Sequence, residues 1–196
     1  MITISIYKKQ REQIKNTIIH TAIDLFREKG YENVSIDEIT KRVEIAKGTF
    51  YNYFKSKGDL LMHWSAERFS KVDIQGAINK EKIVEENLRY LLMCYSKAIA
   101  DDHSLFVSFI KELGARKQAK TEVDEDFDFT GLLKAVISNS CDGARILSDK
   151  FELKVQVLDS AVYSAMVSWA CSEKDVNGLG EHLSEVARIC LYGMLN

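Results

Sequence analysis

SIDEITKRVEIAKGTFYNYFKSKGDLL, residues 35–61, contains two short helices joined by a tight turn. Ser35 followed three residues later by Glu38 is the spacing of a capping box. The hydroxyl accepts from the amide three residues on, and the carboxylate reaches back to the start of the helix. Ile36, Ile39 and Val43 then give that helix a buried side. After the turn, Ile45, Phe50 and Phe54 can pack inward, which leaves Lys47, Gly48, Thr49, Tyr51 and Asn52 facing out, with Tyr53 at the end. Two helices so arranged make a helix-turn-helix, whose second helix can lie in a DNA major groove.

The outward residues suit that task. Lysine and the amides at a helix start favour phosphates and guanine edges. Gly48 permits close approach of backbone to backbone, and Thr49 or Tyr51 can donate to phosphate or cover a thymine methyl. Asn52 has the donor and acceptor to pair with adenine. Ser35, Thr40, Tyr53 and Lys57 lie around this helix as clamps on phosphate, which fix register without reading bases.

Upstream, Ile14, Ile18, Ala22, Leu25 and Phe26 form one apolar stripe, predicting a helix over 11–29 with Gly30 as its left-handed cap. Residues 1–10 are either a loose arm or a forward extension of that helix, and basic Lys8, Lys9 and Arg11 there read as a solvated arm, with contact to the DNA backbone as the alternative. Downstream, a fourth helix from Gly58 to about Gly76 carries Leu60, Leu61, Trp64 and Phe69. Five more are expected near 81–100, 103–118, 127–147, 152–173 and 179–195. The acidic stretch Thr121–Asp128 lacks the glycine and distal glutamate of a calcium loop and reads as a solvated turn.

The composition agrees with an all-α chain of about nine helices. No proline occurs in 196 residues, and 46% are hydrophobic against 29% charged. No apolar run is long enough to span a membrane, and the N-terminus lacks the pattern of a secretory signal, so the cytoplasm is the expected compartment. Cys94, Cys141, Cys171 and Cys190 are far apart, which reads as free thiols. Net charge is −2, but residues 1–60 carry 11 Lys and Arg against 8 acids, and the remainder 16 against 21. A basic head on an acidic body suits a protein whose first sixty residues meet phosphate.

The string KGTFYNYFKSKGDLL, residues 47–61, resembles the signature segment of the TetR family of bacterial transcriptional regulators, and the likeness extends over roughly residues 10–62. The resemblance implies Lys47, Gly48, Thr49, Tyr51, Tyr53 and Lys57 as DNA contacts. It also implies a three-helix head, here 1–57, and a body, here 58–196, that binds a small molecule and dimerises. Three positions depart from the family pattern. Glu44 replaces a turn glycine, Ala46 replaces a small hydroxyl at the reading helix's N-cap, and Tyr53 stands where histidine is commoner.

The body's own residues permit both roles. Val155, Leu158, Val162, Ala165, Met166 and Trp169 form one stripe, and Leu179, Leu183, Val186 and Cys190 another, as a candidate dimer interface. Leu153, Val157 and Ala161 cover a second side of the 152–173 helix, so it needs two partners: its own body and a second subunit. Tyr90, Met93, Cys94, Phe106, Phe109 and Tyr163, with His63 as a polar handle, are candidates to line a site for an apolar or aromatic effector, and Tyr95, Phe127 and Phe129 gather in the same middle helices.

The expected function is a homodimeric, ligand-responsive repressor on a pseudo-palindromic double-stranded DNA operator. Its two heads would be spaced by about one DNA turn, roughly 34–36 Å. No catalytic order, metal-ligand cluster or phosphate loop is legible, so neither an enzyme nor a bound cofactor or metal is expected. The alternative is an adaptor of the same fold whose head no longer reads DNA and acts through protein contacts.

Overall fold

The computed structural model describes residues 2–99, 102–119, 128–146, 150–172 and 178–195. Phe127 and the acidic stretch from Thr121 lie outside them, while Asp128 caps the helix that follows, its carboxylate accepting from the Gly131 amide at 2.7 Å. Among the described residues there are ten α-helices and no strand. The chain divides into two compact units, residues 1–67 and 68–196.

The first unit is built on α1 (Ile2–Lys29), which takes in residues left open as arm or helix. A 3-10 turn (Tyr31–Asn33), α2 (Ile36–Val43), α3 (Lys47–Tyr51) and α4 (Gly58–Phe69) follow. Gly30 ends α1 with φ of 82°, and its amide bonds the Phe26 carbonyl at 2.9 Å. Of the α1 stripe, Ile18, Ala22, Leu25 and Phe26 are buried with Ile39, Phe50, Phe54, Leu60 and Leu61, whereas Ile14 is exposed. The Ser35 hydroxyl accepts from the Glu38 amide at 3.1 Å. The reciprocal half of the capping box is absent, because the Glu38 carboxylate turns to the Lys29 ammonium.

Glu44 closes α2 in the left-handed region, at φ 59° and ψ 42°. A side chain there is strained by about 1 kcal/mol relative to glycine. Glu44→Gly is therefore expected to stabilise the head by up to that amount, measured as a higher denaturation midpoint. An unchanged or lower midpoint would show that the strain is relieved by neighbours.

α4 ends at Phe69, short of the expected Gly76. Lys71 and Val72 bond back to Arg68 and Phe69 in turn geometry, and Asp73 starts a separate short helix, α5 (Ile74–Ala77), by accepting from the Gly76 amide at 3.0 Å. That extra element accounts for ten helices where nine were expected.

The second unit continues with α6 (Val84–Ile99), α7 (His103–Ala119), α8 (Phe129–Asn139), α9 (Phe151–Ala170) and α10 (Leu179–Leu195). α10 packs chiefly on α6 and α9, and α9 also takes α7 and α8. α8 stops at Asn139, well before residue 147. The Ser140 hydroxyl bonds the Val136 carbonyl at 2.7 Å, and the Cys141 amide crosses to the Lys82 carbonyl at 2.9 Å. The chain then folds back so tightly that a Cβ on Gly143 would stand 1.9 Å from the Ile137 carbonyl oxygen. Among the described residues, no helix is long and apolar enough to cross a membrane.

Candidate nucleic-acid interface

α3 is five residues long and is held from beneath by its own aromatic side. Phe50 is fully buried and Phe54 nearly so, their ring centroids 5.6 Å apart. This anchoring turns the opposite side outward, where Lys47, Gly48, Tyr51 and Asn52 are exposed and Thr49 and Tyr53 are half-buried. Tyr51 leaves half of its surface open and meets the Phe50 ring edge-on. Ala46 offers no side chain to cap the helix.

The Lys47 ammonium pairs with the Asp37 carboxylate at 2.8 Å, so the reading helix is tied to α2 through an exposed ion pair. That hydrogen bond, then the charge of Asp37, raises the Lys47 pKa above its ordinary value. The group remains a cation throughout the physiological range and can exchange a carboxylate for a phosphate. Gly48 has open space where a Cβ would stand. Glycine inside a helix costs about 1 kcal/mol relative to alanine, and nothing within the head requires it.

Two of the expected clamps are placed otherwise. Thr40 is buried, and its hydroxyl donates to the Asp37 carbonyl at 3.0 Å, so the side chain supports α2 and faces away from solvent. Lys57 donates to the carbonyls of Tyr31 at 2.6 Å and Val34 at 3.0 Å, with its ammonium 4.1 Å from the centre of the Tyr31 ring. A phosphate would have to displace all three contacts. Lys57 is thus a strut that joins the turn before α4 to the turn after α1. Lys57→Met is expected to destabilise the head by about 1.5–3 kcal/mol, the value of hydrogen bonds to a charged group, as read by chemical denaturation. Unchanged stability with weakened DNA binding would restore the phosphate role.

Ser35 is exposed at the N-cap of α2, and Tyr53 lies under the Arg11 guanidinium, 5.8 Å from its ring centre. The composition of the head did not reveal that last contact, nor the Asp37 partner of Lys47, since both depend on how α1, α2 and α3 cross.

The residues named for an effector are divided between the two units, His63 in the first and the others in the second. His63 belongs to the first unit, its ring edge-on to Phe54 at 5.4 Å. In the second unit, the Tyr90 hydroxyl donates to Asp73 at 3.0 Å, which with the neighbouring Cys94 pushes its pKa up to about 12. Met93 packs beside Gly180. Phe106 and Phe109 are core, and the Tyr163 hydroxyl reaches the Ile110 carbonyl at 3.4 Å. Tyr95, Phe109 and Phe129, aromatics expected to gather in these helices, do cluster, and sequence reasoning missed only that Phe69 joins them. Phe69 lies 4.8 Å from Tyr95 and 6.0 Å from Phe109, and Tyr95 lies 5.7 Å from Phe129. Burial pushes the Tyr95 hydroxyl up to about 12.

The stripe named for subunit contact is reassigned. Val155, Leu158, Val162, Ala165, Leu179 and Leu183 are buried within the single chain, which leaves little of their surface for a second copy. Met166, Trp169, Val186 and Cys190 are half-buried. The apolar surface that remains open is the other side: Leu153 and Val157 on α9, Ile189 and Tyr192 on α10. Gly193 beside them again has open space where a Cβ would be.

Residues 18–63 match the profile of bacterial regulatory proteins of the tetR family. The fatty acid metabolism regulator protein of Bacillus subtilis is 21% identical over 174 residues, covering 85% of this chain and 88% of its own length. The HTH-type transcriptional regulator YuxN of the same organism is 48% identical over 54 residues, 28% of this chain and 18% of that protein. Among solved structures, FadR of Thermus thermophilus, a TetR-family transcriptional repressor in complex with lauroyl-CoA, superposes with a TM-score of 0.75 at 22% identity. It covers 93% of this chain and 95% of the other. At that identity the likeness is one of fold; the family profile matches the part that carries α2 and α3.

Proposed function

We propose that the chain, whose residues 18–63 match the profile of the TetR family of bacterial transcriptional regulators, is a homodimeric repressor of that family that releases its operator when a fatty acyl-CoA binds the body. The observation that carries the ligand class is the end-to-end similarity to a fatty acid metabolism regulator, supported by a solved fold-mate holding lauroyl-CoA. The aromatic cluster of Phe69, Tyr95, Phe109 and Phe129 supplies apolar surface of the kind an acyl chain needs.

Lys47, Gly48, Thr49, Tyr51 and Asn52 read the major groove, and Ser35 and Tyr53 hold phosphate. The two subunits meet through the open faces of α9 and α10, as an isologous four-helix contact. Phe69 ends α4 and stands in the aromatic cluster, so a chain that repacks the cluster displaces the helix that leads back to the head. The acyl-CoA works as a switch only by binding the released conformation more tightly than the DNA-bound one; equal affinity would shift nothing.

Lauroyl-CoA, free CoA and laurate are titrated into the protein bound to a fluorescent duplex that it selects. The proposal expects lauroyl-CoA alone to lower DNA affinity. Saturable lauroyl-CoA binding without any change in DNA affinity, or no binding, would contradict it.

A further inference from the structure

α1 is longer than the head needs. It runs for 28 residues, about 42 Å at 1.5 Å per residue, yet none of residues 7–17 is buried, and from residue 7 onward the first core side chain is Ile18. About three turns, residues 7–17, therefore precede the part that packs, and helix of that kind draws little stability from tertiary contact.

The charge of the head resides in those turns. Lys8, Lys9, Arg11 and Lys15 face the single acid Glu12, whereas residues 16–60 carry seven cations against seven acids. Four of the later seven are committed to carboxylates: Arg27 to Asp24, Lys29 to Glu38, Arg42 to Glu28 and Lys47 to Asp37. Lys57 is held by two carbonyls. Among the described residues no carboxylate reaches Lys8, Lys9, Arg11 or Lys15. The prong adjoins the reader, since Arg11 lies over Tyr53, two residues past the end of α3.

We propose that the first turns of α1 form a basic prong that grips DNA phosphates beside each half-site through Lys8, Lys9, Arg11 and Lys15, lengthening the footprint beyond what α3 reads. The inference rests on the DNA-reading role of α3. An anionic lipid surface would also attract these charges, but an interfacial helix needs a continuous apolar face. Here the exposed row of Tyr7 and Ile14 is interrupted by Arg11. Contiguity with the reading helix favours DNA.

The test compares parent, K8A/K9A/R11A and the charge-conserving K8R/K9R/R11K, as full chains, on one selected duplex across a salt series. Each lost phosphate contact lowers the slope of log K against log salt by about 0.9. The alanine variant is expected to show a slope shallower by about 2.7 per chain, with base preference and thermal midpoint unchanged, and the conserving variant to keep the parent slope. Should the triple variant fail to fold, Lys9→Ala alone is expected to lower the slope by about 0.9. Equal slopes for parent and alanine variant would overturn the prong. So would an alanine variant that loses only its binding to phosphatidylglycerol vesicles. A parent that binds no duplex would overturn the reading of α3, and the prong with it, and is told apart by the missing baseline.

Discussion

Tyr51→Ala is expected to remove specific DNA binding and leave the head folded, while Phe50→Ala, one residue earlier, is expected to unfold the head. Tyr51 is half exposed and meets only the edge of the Phe50 ring, so truncation removes little packing. Losing one central base contact costs about 1–3 kcal/mol, and the loss counts once in each half-site. Affinity should fall by at least about tenfold, with the unfolding midpoint within error of the parent. Phe50 is fully buried against Phe54, and a buried Phe→Ala change costs about 3–5 kcal/mol, a large share of a small domain's stability. Anisotropy titration beside thermal melting separates the two. A Tyr51→Ala protein that binds operator like the parent would overturn the contact assignment.

Val157→Glu combined with Ile189→Glu is expected to yield a folded monomer. Both side chains are about half exposed in the single chain, at 49% and 59%, so charge there disturbs no packing within the subunit. Across an isologous contact each substitution places two carboxylates in an apolar interface, where removing them from water is costly. A monomer also loses the gain of two linked heads, about 10²–10⁴ in affinity. Sedimentation and the DNA titration read both effects. Leu158→Ala serves as the contrast. That residue is fully buried within the chain, and its truncation should destabilise the body by about 2–5 kcal/mol without a selective effect on assembly. A double glutamate variant that still sediments as the parent would place the subunit contact elsewhere.

The head was legible because its signals are local. A capping hydroxyl three residues before its amide, a glycine at positive φ and two phenylalanines four apart each act within one turn. Of the two misplaced clamps, Lys57 depends on distance through space, because it finds carbonyls 23 and 26 residues away. Thr40 bonds a carbonyl three residues back, a local choice between backbone and solvent that periodicity does not encode. On α9 the sequence shows two apolar sides, but which one faces the body depends on where α7, α8 and α10 lie. The richer stripe turned inward, and the sparser Leu153 and Val157 stayed open. Helix ends at Phe69 and Asn139 were missed for a related reason. The turns that follow are held by the Asp73 carboxylate and by a cross-chain bond to Lys82, and no proline marks either stop.

The central claim is that α3 reads DNA as one of a symmetric pair. Selection of duplexes from a randomised pool by the purified full-length protein tests it most directly. The account predicts enrichment of an inverted repeat whose half-sites are about one helical turn apart, roughly 10 base pairs centre to centre. A folded protein that enriches no sequence, or only a single unrepeated half-site, would contradict it.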